Sequence, residues 1–127
     1  MTTQEATMTT QEVANRFMEL AKEANWDKIQ DELYGEDAVS IEPASGLSSG
    51  MSNAEGIRGI KRKGEDFNSM VEEMHGGWCS DPVVGGNHFS VAMGMDVTMK
   101  GAGRMNMDEI CVYEVKNGRI VKEQFFY

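Results

Sequence analysis

Three glutamates stand where their spacing points to chemistry. Glu42 closes the stretch Gly35-Glu36-Asp37-Ala38-Val39-Ser40-Ile41-Glu42-Pro43, in which Ala38, Ser40 and Glu42 share a face and Pro43 ends the strand. Sheet ends often form pocket mouths. A carboxylate held there beside apolar walls has its pKa raised, because desolvation disfavours the charged form, and is then poised as a general base near neutral pH. The plain alternative, a strand-end glutamate in water, stays open. Glu109 is the one charge on the alternating face Met105, Met107, Glu109, Cys111, Tyr113, Val115. Glu123 shares that face only if the turn Lys116-Asn117-Gly118-Arg119 is a type I turn with a bulge at Gly118. A two-residue type I′ turn at Asn117-Gly118 flips the parity and turns Lys122, Gln124 and Phe126 inward. If the three acids converge they cannot all ionise independently, so one keeps its proton near pH 7 and acts as an acid beside a basic neighbour. Otherwise Glu109 pairs with a lysine at a rim and Glu123 faces water.

Other reactive side chains are less suggestive. His75 starts a strand and has a cavity within reach, whereas His88 alternates with the polar face. No ligand spacing supports a metal site of His75 with the glutamates. Cys79 and Cys111 are far apart, without CxxC spacing or paired histidines, so neither zinc nor a disulfide framework is signalled. Cys111 has no identifiable base partner and reads as a small buried side chain.

The elements that must position these groups follow from periodicity. Thr9 and Glu12 have capping-box spacing, after which Val13, Phe17, Leu20 and Ala24 form a helical stripe. A shorter helix carries Trp26, Ile29, Leu33 and Tyr34 and stops at Gly35. A strand from Ala38 to Glu42 comes next, then a Gly- and Ser-rich loop ending in a cap at Ser52 or Asn53. The third helix is expected over Ala54 to Met74, burying Ile57, Ile60, Phe67, Met70, Val71 and Met74. The rest reads as strands: an edge strand from His75 to Val84 interrupted by Pro82, two long runs from Phe89 to Met99 and Met105 to Val115, and a last one from Arg119 to Tyr127. Centring the long hairpin on Ala102 pairs odd positions with odd, and so places Met93, Met95 and Met107 on one oily face with Glu109. Helices first and antiparallel strands afterwards indicate an α+β domain.

The totals narrow the classes. With 127 residues the chain is one domain over residues 9–127, preceded by an extension over residues 1–8 in which Thr2-Thr3-Gln4-Glu5 anticipates Thr9-Thr10-Gln11-Glu12. A net charge of −9, from 21 acidic residues against 12 Lys and Arg, argues against binding nucleic acid or an anionic membrane. The one basic run, Arg58, Lys61, Arg62 and Lys63, reads as a solvated helix face. No apolar run is long enough for a membrane span, and the polar start lacks the pattern of a signal peptide, so a cytoplasmic location is expected. Eleven methionines are many for this length. They either fill a core or line an adaptable pocket for a hydrophobic molecule.

Three strings, "LYGEDAVSIEP", "NAEGIRGIKRKGEDF" and "EICVYEVKNGRIVKEQFFY", occur in an order that resembles the nuclear-transport-factor-2-like superfamily, which includes SnoaL-like polyketide cyclases and ketosteroid isomerases. The resemblance covers about residues 10–127. It implies a cone in which three N-terminal helices close over a curved, mainly antiparallel sheet and leave a blind apolar cavity, with dimers formed through the sheet's outer face. By position, Glu42 resembles the proton-shuttling aspartate of the isomerases. Phe17 stands where those enzymes have a carbonyl-polarising tyrosine, and Cys111 where they have a protonated aspartate, so steroid isomerisation is not expected.

The expectation is therefore a homodimer that takes a small hydrophobic molecule without a cofactor or metal. Glu42 serves as base, with Glu109 or Glu123 as its acid partner. Phe17, Met93, Met95 and Met107 are the expected ligand contacts, together with Cys111, Tyr113 and Tyr127. The competing expectations are a non-catalytic binder of an apolar or amine-bearing ligand, and an interaction module whose cavity is filled by side chains.

Overall fold

The capping box at Thr9 forms as the sequence predicts: Thr9 Oγ1 accepts from the Glu12 amide at 3.1 Å and the Glu12 carboxylate accepts from the Thr9 amide at 3.0 Å. The structure is a computed structural model that describes residues 7–127, so the first copy of the repeat and most of the expected extension lie outside the described residues. Helix α1 (Thr10–Lys22) buries Val13, Phe17 and Leu20 together with Ala14, Met18 and Ala21. Ala24, expected in this stripe, instead lies past the helix end, exposed and in a left-handed conformation (φ 52°). Helix α2 (Trp26–Leu33) is capped by the Asn25 side chain. Tyr34 is already extended and begins strand β1 (Tyr34–Ile41), which therefore starts before the expected Ala38.

The Gly- and Ser-rich loop holds a short helix, α3 (Ala44–Ser48), before strand β2 (Ala54–Glu55). Helix α4 (Gly56–Met70) is not capped by Ser52 or Asn53, because the Asn53 side chain accepts from the Glu42 amide instead, at 2.8 Å. It also ends earlier than its apolar spacing indicates: Val71 and Met74 pair with Met99 and Val97 in strand β3 (Val71–Cys79). Of the side expected to be buried, Ile60 is buried, Ile57 and Phe67 are half-buried, and Met70 and Met74 are exposed. After Pro82 come strands β4 (Val83–Gly85), β5 (His88–Met99), β6 (Gly103–Lys116) and β7 (Arg119–Phe126).

The sheet order is β2-β1-β7-β6-β5-β3, with β4 also on β5; all pairs are antiparallel except β1 with β7. The β5–β6 hairpin is centred on Gly101 rather than Ala102, which keeps odd residues opposite odd: Phe89 faces Tyr113 and Met95 faces Met107. The helices lie on one face of this curved, unclosed α+β sheet, and the core between them is an aromatic knot. Phe17 meets Phe89 and Tyr113 at ring-centroid distances of 5.4 and 4.9 Å. Burying each such ring contributes about 2 kcal/mol or more.

Candidate active site

The inward position of Glu123 is set by two backbone devices. Asn117 and Gly118 both have positive φ (51° and 74°) and Lys116 pairs with Arg119, so the turn is the two-residue type I′. By itself that turn would point Glu123 outward. One residue later the register slips, Val115 pairing with Ile120 but Glu114 with Lys122, and the extra residue, Val121, restores the parity. Glu123 then sits opposite Tyr113 and is buried. A bulge does form in this hairpin, within β7 rather than at Gly118.

Glu42, 5 % exposed, is held by three groups. Its carboxylate forms an ion pair with Lys63 Nζ and accepts from the Tyr127 hydroxyl at 2.5 Å, while Asn53 takes its amide. Gly46 of α3 packs beneath: a Cβ there would fall 2.1 Å from the Tyr127 hydroxyl, so glycine is required for that approach. Lys63 corrects the reading of the basic run. Arg58 and Arg62 are exposed, but the Lys63 side chain is only 11 % exposed and its ammonium also lies 5.0 Å from the Phe125 ring centroid. The signal was present in its spacing, since Lys63 falls on the same helix stripe as Ile60 and Phe67.

From Lys63 a chain of hydrogen bonds runs to Glu123. The ammonium donates to Ser40 Oγ at 2.8 Å, Ser40 donates to Glu123 at 2.6 Å, and the Tyr34 hydroxyl donates to the other Glu123 oxygen. Burial pushes the Glu123 carboxyl above the usual range, and the two hydroxyls oppose that shift. Tyr34, itself buried, is pushed well above the ordinary phenol range by burial and by Glu123. The sequence pattern places Tyr34 at the end of a helix and assigns Ser40 no role, whereas the structure puts both in β1 with their hydroxyls on Glu123.

Glu109 is different. Its hydrogen-bond partner among the described residues is the Cys111 thiol, at 3.6 Å. Burial pushes its carboxyl up to about 7; the negative neighbours Glu42 and Glu123 add to the shift, and Cys111 and Lys63 oppose it. Cys111 is in turn pushed upward by burial and by Glu109, which keeps it a thiol and not a nucleophile.

These groups meet in a cavity of about 450 Å³, a size suited to a small organic molecule. Glu42, Glu109 and Glu123 all line it, as do Met93, Met95, Met107 and Tyr127. Phe17, Cys111 and Tyr113, expected as ligand contacts, belong to the core behind the wall, at 1 %, 0 % and 3 % exposure. Trp26, Phe67 and Phe125 are also part of the apolar lining. His75 lies away from the three acids, with Nε2 at 2.7 Å from Thr98 Oγ1. Among the described residues no three His, Cys, Asp or Glu side chains are grouped to hold a metal ion, and no helix is long and apolar enough to cross a membrane.

Comparison with known proteins shows the family and the fold. The sequence profile of the SnoaL-like domain matches residues 8–127. A solved structure from Mesorhizobium loti, described as a candidate SnoaL-like polyketide cyclase, is 34% identical and superposes with a TM-score of 0.86 over 94% of this chain and 100% of that one. A protein of Catenulispora acidiphila with a ketosteroid isomerase-like fold, solved with trimethylamine, is 17% identical over 94% of this chain and 87% of that one (TM-score 0.69). TerC, co-crystallised with polyporic acid, is 14% identical over 93% and 90% (TM-score 0.72). No curated protein matches the chain.

Proposed function

Because the chain belongs to the SnoaL-like family, we propose that it is an acid-base enzyme that needs no cofactor, acting on a small hydrophobic carbonyl compound, with Glu109 as the group that exchanges the proton. One observation carries this reading: of the three glutamates that line the cavity, Glu109 is the one with no cation or hydroxyl partner among the described residues, whereas Glu42 and Glu123 each accept from two donors. The base role expected of Glu42 thereby passes to Glu109, and Glu42 serves to hold Lys63 and Tyr127 in place.

The donor inventory then assigns the steps. The Glu109 carboxylate takes a proton from a C–H beside the substrate carbonyl, and the electron pair moves onto the carbonyl oxygen as an enolate. Lys63 has three N–H groups and uses two on Glu42 and Ser40, so the third is available to the enolate oxygen. Protonated Glu109 returns the proton to a carbon of the enolate, which moves a double bond; alternatively the enolate carbon attacks a second carbonyl in the same molecule, which closes a ring, and Glu109 returns its proton to the alkoxide left on that carbonyl oxygen. General-base catalysis of this type is worth about 10²–10⁴ in rate. The apolar walls suit an uncharged ring system.

The test uses 2-tetralone in deuterated buffer, with deuterium gain beside the carbonyl followed by NMR. The protein is expected to accelerate exchange well above buffer, and Glu109→Gln to return it to the buffer rate. No acceleration, or full exchange by Glu109→Gln, would contradict the proposal.

A second reading rests on charge. Glu42, Asp108, Glu109 and Glu123 line the cavity with one ammonium, that of Lys63, so a protonated amine would find an unpaired acid at Glu109, and the relative solved with trimethylamine is consistent with this. Tetramethylammonium affinity should then rise with pH through about 7 and fall in Glu109→Gln. The protein is further proposed to pair as a homodimer through the outer sheet face, where Ile110 and Phe126 are neighbours in register and each 47% exposed.

A further inference from the structure

Beside the cavity lies a larger groove of about 950 Å³, bounded by α2, α4 and β3, and the two spaces share part of their walls. Trp26, Gln30, Phe67, Met93 and Met95 line both, and so does Gly64. Gly64 lies well inside α4, where glycine disfavours the helix relative to almost any other residue. Its backbone has no positive φ to demand glycine, and a Cβ added there would meet nothing within 4 Å. Neither conformation nor packing explains it. Its missing side chain leaves open space where the linings of the cavity and the groove meet.

The geometry points to an elongated ligand: a ring system in the inner cavity beside Glu109, and an apolar tail that passes Gly64 into the groove between α4 and β3. This inference rests on the cavity being the ligand site and adds the shape of its ligand. The groove offers Phe67 and the exposed Met74 to the tail. Its charged groups are Asp27, Asp31 and Glu65, with Lys61 held by Asp31 at 2.5 Å and His75 beside Thr98. The excess of acids selects a tail without negative charge. The groove and the cavity are thus two ends of one site, and the occupant is one molecule.

Two ethers test this, 6-methoxy-2-naphthol and 6-hexyloxy-2-naphthol, with affinities measured by calorimetry. The hexyl ether is expected to bind at least tenfold more tightly than the methyl ether. Gly64→Leu, which narrows the way between the two spaces, and Met74→Glu, which adds a charge to the groove wall, should each remove that advantage, and Met74→Glu, which lies outside the inner cavity, should leave the methyl ether within about threefold. Gly64→Ala should raise the melting temperature, which would show that glycine is not there for stability. A hexyl chain ending in a carboxylate should bind at least fivefold more weakly than the plain hexyl ether. Equal affinities for the methyl and hexyl ethers, a hexyl advantage that survives both Gly64→Leu and Met74→Glu, or a carboxylate-ended chain that binds as well as the plain one would overturn the inference and leave the catalytic proposal standing. If neither ether binds, the cavity reading fails and this one with it.

Discussion

Lys63 is the cation on which the arrangement of the acids depends, and the ion pair it makes with Glu42 is almost out of water. Removing one member of a buried pair strands the other charge, at a cost of about 3–5 kcal/mol, whereas removing both is far milder. Lys63→Met is therefore expected to destabilise the protein by several kcal/mol in urea titration, and Lys63→Met combined with Glu42→Gln to recover most of the loss. A double variant as unstable as the single one would show that the lysine acts through its packing alone. Glu109 makes the opposite kind of prediction. Its folded-state pKa lies above its unfolded value, so the native state binds the extra proton, and the stability this gives is full below about pH 4.5 and lost as pH rises through about 7. Glu109→Gln should flatten part of that decline, and the slope left over belongs to Glu123, whose carboxyl is shifted in the same direction. At this scale the sequence was informative about the acids and silent about their partners. Alternation put Glu109 on an oily face, but the pairing of Glu42 with Lys63 joins residues of different elements, which no local spacing reports.

Which way Glu123 points is decided by elements. The Asn-Gly turn was legible, and its two possible geometries were distinguishable in principle, yet the deciding bulge at Val121 lies in an ordinary apolar stretch with no glycine to announce it. Parity in such a hairpin is a property of the paired strands and of β1 alongside them, so it is not readable from the turn. Gly118, with φ 74°, is expected to resist replacement: Gly118→Ala should lose about 1 kcal/mol or more through the left-handed backbone alone. Thr9→Ala should lose about 1 kcal/mol through the capping box, and this effect should not depend on the state of the cavity. Both are measurable by thermal unfolding. The misplaced end of α4 has a similar cause. Met70, Val71 and Met74 continue the helical spacing, and only the pairing of Val71 and Met74 with β5 takes them into the sheet. The Gly- and Ser-rich segment hid a short helix because those residues disfavour helix locally; there α3 is set against the site, with Gly46 packed on Tyr127.

At the scale of the molecule, element order was enough to identify the cone, because helices followed by long alternating strands have few ways to cover one another's apolar faces. The role of the methionines was less legible, since their count describes a filled core and a lined pocket equally well. The two faces of the sheet now carry separate predictions. Ile110→Lys on the outer face should halve the mass seen by light scattering without altering ligand affinity; a wild-type protein that is already monomeric would remove the dimer from the account. On the inner face everything proposed for the site depends on Glu109 exchanging its proton near neutrality, and the direct measurement is a carboxyl-carbon NMR titration with Glu109→Gln to assign the signal. The account predicts one glutamate titrating at about pH 7 that disappears in the variant. A Glu109 signal that titrates with the surface glutamates, near their ordinary value of about 4.3, would contradict it.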